Sequence, residues 1–264
     1  MRIILKYILQ RNFRKMQNKL ILKMKICLLM LFYCSNFFSN IVLVFLRGIM
    51  TIKIYSTEGS RGVRPIWTAE EMGLDYEIDM MPFPPRFLKP EYLEVNVLGT
   101  IPCMIDGNTK MTESVGISQY LVDKYGPTDL KVNVDEEDYG AYLNWLTHAD
   151  ATLTFPQTVF IRYTLQEPGV ADAAAEGYKR WFVARLKLLE ATLNDREYLC
   201  SNRFTIADIC VSYAIYLAGT LGIEQAFKPN IKRWTDMLFE REAFKKIIAY
   251  KYDGPGPSGP EELQ

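Results

Sequence analysis

The hydrophobic pattern of this chain changes character once, near Gly126 and Pro127, and that change constrains the fold more than any other feature. Upstream of it, short runs with a period of two alternate with short runs of helical period. Downstream, strand signals stop and only long amphipathic stretches remain. In the first part, Ile52 and Ile54 alternate with polar neighbours over 51–55, which predicts a strand, and 56–61 forms a glycine-containing loop. Residues 62–72 carry Val63, Ile66, Trp67 and Met72 at helical spacing, with Pro65 tolerable only in the first turn and Gly73 as a stop. A second strand is predicted over 76–80. The run MPFPPRFLKP, 81–90, is too crowded with proline for regular structure, and a short helix follows over 91–95. Residues 101–105 and 110–111 flank the turn Asp106-Gly107-Asn108, and a helix over 114–125 starts at a serine cap. The order is βαβ followed by ββα.

The second part predicts helices over 139–163, 173–193, 205–221 and 231–250, an all-α unit. Thr205 and Asp208 have the spacing of a capping box, with Phe204 and Ile209 at the positions of a hydrophobic staple. These readings divide the chain into a leader (1–49), an α/β domain (50–126), an all-helical domain (135–250) and a Pro/Gly-rich disordered tail (251–264).

Charge separates the leader from the rest. The whole chain is formally neutral, yet residues 1–50 hold nine Lys or Arg and no acid, leaving 22 basic against 31 acidic residues in the body. An acidic body lacks the cationic face that displaces counterions from phosphates, so a nucleic-acid partner is not expected. The leader joins a basic stretch, 2–25, to 21 uncharged and mostly apolar residues, 26–46, long enough to span a bilayer as a helix. Read literally, it is a signal anchor that ties the protein to a membrane. Met50 stands directly before the first strand, and an upstream start codon read ahead of the true one explains the leader equally well; that reading is preferred and makes the protein cytoplasmic. The five cysteines (27, 34, 103, 200, 210) show no metal-ligand or CxxC spacing, so neither a metal site nor a disulfide framework is expected.

The stretch NVLGTIPCMIDGNTKMTESVGISQYL, 96–121, resembles the glutathione-site signature of the cytosolic glutathione transferases, and FTIADICVSYAI, 204–215, is similar to the capping-box helix of that family's second domain. With IYSTEGSRGVRPIW near the start, the resemblance covers about 51–250, and the first loop looks closer to serine-type than to tyrosine-type members. The resemblance implies a thioredoxin-like α/β domain followed by an all-α domain, glutathione as co-substrate, a homodimer, and a cis peptide before Pro102. On sequence alone that bond would be trans, since only about 5% of X-Pro bonds in folded proteins are cis. In a cis arrangement the backbone of Ile101 is offered to an extended peptide as an added strand would be. Glu113 and Ser114, where a helix begins, would then hold the γ-glutamyl end, the helix N–H groups and Ser114 meeting its carboxylate and Glu113 its ammonium. Read without the resemblance, the pair is an ordinary helix cap.

Chemistry at such a site needs a thiolate, because the thiol titrates near ~8.5 and only the anion is a strong nucleophile. A hydroxyl at the mouth of the first loop, near the positive end of the next helix, would stabilise it. By the resemblance Ser60 takes that role. Tyr55, Ser56 and Thr57 are rivals, and each is otherwise a turn or cap residue. Arg61 either assists electrostatically or is a solvated surface residue. Cys103 reads as a small buried hydrophobe, and the first loop lacks a cysteine for thiol exchange. Tyr142, Trp145, His148, Phe155 and Tyr163 form a stripe that lines an acceptor pocket or, as such stripes usually do, packs a core. The expected activity is conjugation of glutathione to an electrophilic small molecule. A maleyl-type glutathione-dependent isomerase and a non-catalytic binding or scaffold protein are the alternatives.

Overall fold

The computed structural model describes residues 52–254, and the leader with its 26–46 segment lies outside them. β1 (Ile52–Ser56) runs parallel to β2 (Tyr76–Met80), joined by α1 (Val63–Glu71). β3 (Cys103–Asp106) and β4 (Thr109–Met111) complete a four-stranded sheet of order β2-β1-β3-β4, with β3 antiparallel to both of its neighbours. Ile52 and Ile54 point into the core as the alternation predicts, and Gly73 closes α1 at φ 62°. α3 (Ser114–Lys124) follows the β3–β4 hairpin. The α/β unit is therefore thioredoxin-like, as expected.

Within the proline-rich 81–90 the structure departs from the prediction of irregular chain. It forms the single turn α2 (Pro85–Leu88), and a 3-10 turn follows at Pro90–Glu94. Pro84 sits in the extended cap position and Pro85 at the first helical position, where the missing N–H costs nothing.

The helical unit begins with one continuous path that changes pitch. α4 (Tyr139–Thr147) widens into a π-helical segment, His148–Thr154, then tightens as α5 (Phe155–Ile161) and widens again at Arg162–Gln166. Pro156 supplies a reason for the first widening, since a proline inside a regular helix lacks a donor and crowds the carbonyl four residues earlier. α6 (Asp172–Thr192) and α7 (Ile206–Thr220) come next, and residues 206–215 of α7 are all buried, the mark of a central helix. At the start of α7 the predicted capping box forms, Thr205 N donating to Asp208 Oδ2 at 2.9 Å and Ala207 N to Thr205 Oγ1 at 3.2 Å.

The helix expected over 231–250 is two, α8 (Pro229–Phe239) and α9 (Glu242–Ile248), broken at Arg241, which has ψ 136°. The break lets Arg241 grip Glu71 of α1 with two bonds of 2.7 Å while its guanidinium lies 4.0 Å from the Phe204 ring centroid. α1 packs against α3, α7 and α9 and so stands between the sheet and the helices. The stretch expected to be disordered from residue 251 begins with residues that are held, because Lys251 Nζ and Tyr252 N both donate to Glu58. Among the described residues no helix is long and apolar enough to cross a membrane.

Candidate functional site

The loop between β1 and α1 is tied down hydroxyl by hydroxyl. Ser60 Oγ donates to Thr57 O at 2.9 Å and receives Thr57 N at 3.4 Å and Gly62 N at 3.3 Å. Thr57 Oγ1 donates to Met81 O at 2.7 Å, joining the loop to the end of β2. From the helical side, Tyr213 Oη donates to Gly59 O at 3.1 Å. Burial pushes the Tyr213 phenol up to about 12, against the opposing pull of Arg64, so that hydroxyl stays a donor across the ordinary pH range.

These residues form one wall of a cleft of about 560 Å³. Thr57 to Arg61, Met81 to Phe83 and Ile101 face Thr158, Arg162, Tyr213 and Tyr252 across it. Ile101 is half-buried in this wall, and the Ile101–Pro102 peptide is cis. The segment before it is held by Tyr92 Oη and Asn96 Nδ2, both donating to Thr100 O at 2.8 Å. Of the four candidate hydroxyls, Ser60 and Thr57 line the cleft, whereas Tyr55 packs on Tyr92 and Ser56 is buried, both of them in β1.

Glu113 and Ser114 lie at the N-terminus of α3, beyond the lining of this cleft. Glu113 is the exposed cap residue and makes no side-chain capping bond. Ser114 is only 3% exposed, and its Oγ accepts from Arg64 Nη1 at 3.0 Å. The hydroxyl accepts this bond and keeps its own proton to donate, beside the helix-end N–H groups at that end of α3.

Arg64 is the residue that sequence reasoning missed. It is fully buried and donates to Ser114 Oγ, Asp150 Oδ1, Ala149 O, Thr154 Oγ1 and Cys210 O, with the Tyr213 ring 4.8 Å away. Arg61 reaches the same helical path, with Nη2 donating to Thr158 Oγ1 of α5 at 2.8 Å and Nε 3.5 Å from Asp150 of the π-helical segment. The one available signal was a charged residue inside the otherwise apolar face of α1.

None of the aromatic stripe lines the cleft. Tyr142 and Trp145 are core residues, His148 packs edge-on against Trp145 with burial lowering its pKa, and Phe155 pairs with Tyr178. The core reading of that stripe is the one the structure bears out for Tyr142 and Trp145. Cys103 is buried in the sheet, and burial raises its thiol pKa, as suits a small hydrophobe rather than a nucleophile.

Two family models match the chain. The glutathione S-transferase N-terminal domain matches residues 61–124, and the glutathione S-transferase C-terminal domain matches 157–242. Glutathione S-transferase F10 of Arabidopsis thaliana is 28% identical over 221 residues, spanning 78% of this chain and 100% of the relative. Glutathione S-transferase 3 of Schizosaccharomyces pombe is 26% identical over 220 residues, 76% of this chain and 88% of the relative. The glutathione transferase URE2P6 of Phanerochaete chrysosporium, solved in complex with oxidized glutathione, superposes with TM-score 0.66 at 27% identity over 75% of this chain and 94% of that one. A thioredoxin-like sheet domain carrying this cleft and followed by a helical domain is the architecture of the cytosolic glutathione transferases. The chain belongs to that superfamily.

Proposed function

We propose that the chain binds reduced glutathione in the cleft beside Ile101 and transfers its sulfur to an electrophilic small molecule, with Ser60 stabilising the thiolate. The observation that carries this reading is that Ser60 and Ile101 line one cleft, with Ser60 two residues before Gly62, the N-cap of α1. Extended peptide lying along Ile101 is held by its N–H and C=O, as an added strand is. Its γ-glutamyl end reaches α3, where the free N–H groups receive the carboxylate and the exposed Glu113 receives the ammonium. Each unit by which the thiol pKa falls requires ~1.4 kcal/mol of preferential stabilisation of the anion. Ser60 supplies it by turning its proton from Thr57 O toward the sulfur, while the N-terminal end of α1 adds its partial positive charge.

The acceptor enters between this wall and Thr158, Ile161 and Leu217, and holding both reactants in one cleft does much of the remaining work. Membership of the superfamily and the neighbour solved with oxidized glutathione support the assignment. By the same resemblance the protein acts as a homodimer, in the cytoplasm, where reduced glutathione is available, in the disposal of electrophiles.

A second reading has its own observation. The Ser60 proton rests on Thr57 O at 2.9 Å, a satisfied loop bond that a binding or scaffold protein keeps unchanged. Retention on immobilised glutathione and conjugation of a generic aryl halide, measured for residues 50–264 and for Ser60→Ala, separate the two. The enzyme reading expects both to be retained in the wild type and turnover to fall at least tenfold in the variant. Retention with unchanged turnover removes Ser60 from its role, and failure of both assays in the wild type favours the scaffold.

A further inference from the structure

Ser60 does not stand alone in its loop. Behind it, 1% exposed, lies Ser56, the last residue of β1, with its Oγ 3.2 Å from Ser60 Oγ and 3.3 Å from Thr57 O. Ser60 Oγ is therefore approached by three groups able to donate to it, the backbone N–H of Thr57, that of Gly62, and the Ser56 hydroxyl. Only the last is a side chain. Gly62 makes room for it, because a Cβ at that position would sit 2.0 Å from Ser56 Oγ and 2.8 Å from Ser56 Cβ.

We propose that Ser56 is a positioning residue, whose buried hydroxyl donates to Ser60 Oγ and thereby strengthens the hydrogen bond that Ser60 gives to the sulfur of glutathione. The proposal rests on the catalytic reading of Ser60 above. A hydroxyl that accepts a hydrogen bond becomes a better donor, and chains of such bonds polarise one another where water is excluded. In the ligand-free geometry the Ser60 proton lies on Thr57 O, and the Ser56 proton has a choice between Thr57 O and Ser60 Oγ. When the thiolate draws the Ser60 proton away, Ser60 Oγ becomes the more basic neighbour and Thr57 O is freed to accept from Ser56 instead. The first course is favoured because the sulfur's negative charge lies at the end of that chain and polarises it. No proton leaves its oxygen at any stage; only the direction of two hydroxyl bonds changes.

The test is the ultraviolet titration of the glutathione thiol bound to the wild type, Ser56→Ala, Ser60→Ala and the double variant, with glutathione affinity and thermal unfolding measured alongside. Ser60→Ala is expected to raise the bound thiol pKa by a unit or more. Ser56→Ala is expected to raise it by a smaller amount, about two- to threefold in thiolate fraction below the pKa, with glutathione affinity unchanged. In the Ser60→Ala background, Ser56→Ala is expected to add nothing, because its effect passes through Ser60. A wild-type pKa in Ser56→Ala beside a shifted Ser60→Ala overturns the relay and leaves the catalytic reading standing. An equal shift from Ser56→Ala with and without Ser60 also overturns it, since the effect would then be structural. If Ser60→Ala itself leaves the pKa untouched, the catalytic reading falls and the relay with it. Should Ser56→Ala fold poorly, Ser56→Gly removes the same hydroxyl and is read in the same cycle.

Discussion

Arg64 Nη1 donates at 3.0 Å to Ser114 Oγ and at 2.9 Å to Asp150 Oδ1, so that one fully buried guanidinium joins the helix end expected to receive glutathione to the helical unit opposite it. The three groups belong to α1, the N-terminus of α3 and the π-helical segment. The extra residue of the π turn brings Ala149 O, Asp150 and Thr154 Oγ1 onto the same guanidinium. A planar fork with five donors can serve that many acceptors, whereas an ammonium cannot.

Replacement of Arg64 is therefore expected to be costly in any form. Arg64→Lys leaves a buried charge with too few partners, and Arg64→Met leaves several buried acceptors unpaired, each on the order of 3–5 kcal/mol. Urea unfolding of residues 50–264 measures it. A loss below 1 kcal/mol for Arg64→Lys would show that the network is not the joint between the two units.

Glu113→Gln tests the outer anchor. Its side chain is exposed and makes no capping bond, so stability should change little. On the proposed reading, KM for glutathione rises about tenfold through loss of a charge-assisted bond, while kcat at saturation stays within about twofold. Steady-state kinetics at fixed acceptor concentration provide the check, and an unchanged KM removes Glu113 from the site.

Ser56 and Gly62 are coupled by contact. Gly62→Ala places a methyl against the Ser56 side chain and is expected to destabilise the wild type by about 1–3 kcal/mol. In the Ser56→Gly background the same substitution should cost much less. Thermal unfolding of the four proteins of the cycle reads the coupling, and strict additivity would contradict the packing described for the loop.

Asp208, fully buried in the capping box, is predicted to leave a signature in the pH dependence of stability. Burial pushes its carboxyl up to about 6, partly offset by bonds from Leu199 N, Thr205 N and Trp234 Nε1. A folded-state pKa above the unfolded value means that the folded protein holds the proton more tightly. The contribution is complete below about pH 4 and is lost as pH rises to about 6, roughly 3 kcal/mol in all. His148, whose pKa is lowered by burial, acts in the opposite sense, being destabilising as pH falls below its ordinary value. Asp208→Asn should remove the first slope and leave the second, and urea midpoints between pH 4 and 7 for both proteins would reveal it. Parallel pH profiles for the two would refute the assignment.

How much of this was legible beforehand divides along the range of the interactions. The alternation of Ile52 and Ile54, the stop at Gly73, the Asp106-Gly107 turn and the Thr205–Asp208 box are local codes, each settled by a few neighbouring residues, and each appears where the sequence places it. Ser60 and Ile101 were singled out by resemblance, and what could not be read was their partners. The Ser60 hydroxyl network is local, but Ser56 was read as a loop residue and a rival to Ser60, and only folding, which extends β1 to it and sets Gly62 against it, makes it a partner. The break at Arg241 was hidden because helical periodicity continues through it, and the ion pair with Glu71 that uses the break comes from a residue 170 positions away. Arg64 makes the same point most fully. Its charge in an apolar face was visible in the sequence, but the acceptors that make the burial of a guanidinium tolerable lie between 50 and 146 residues downstream, and only packing of the two units brings them within reach.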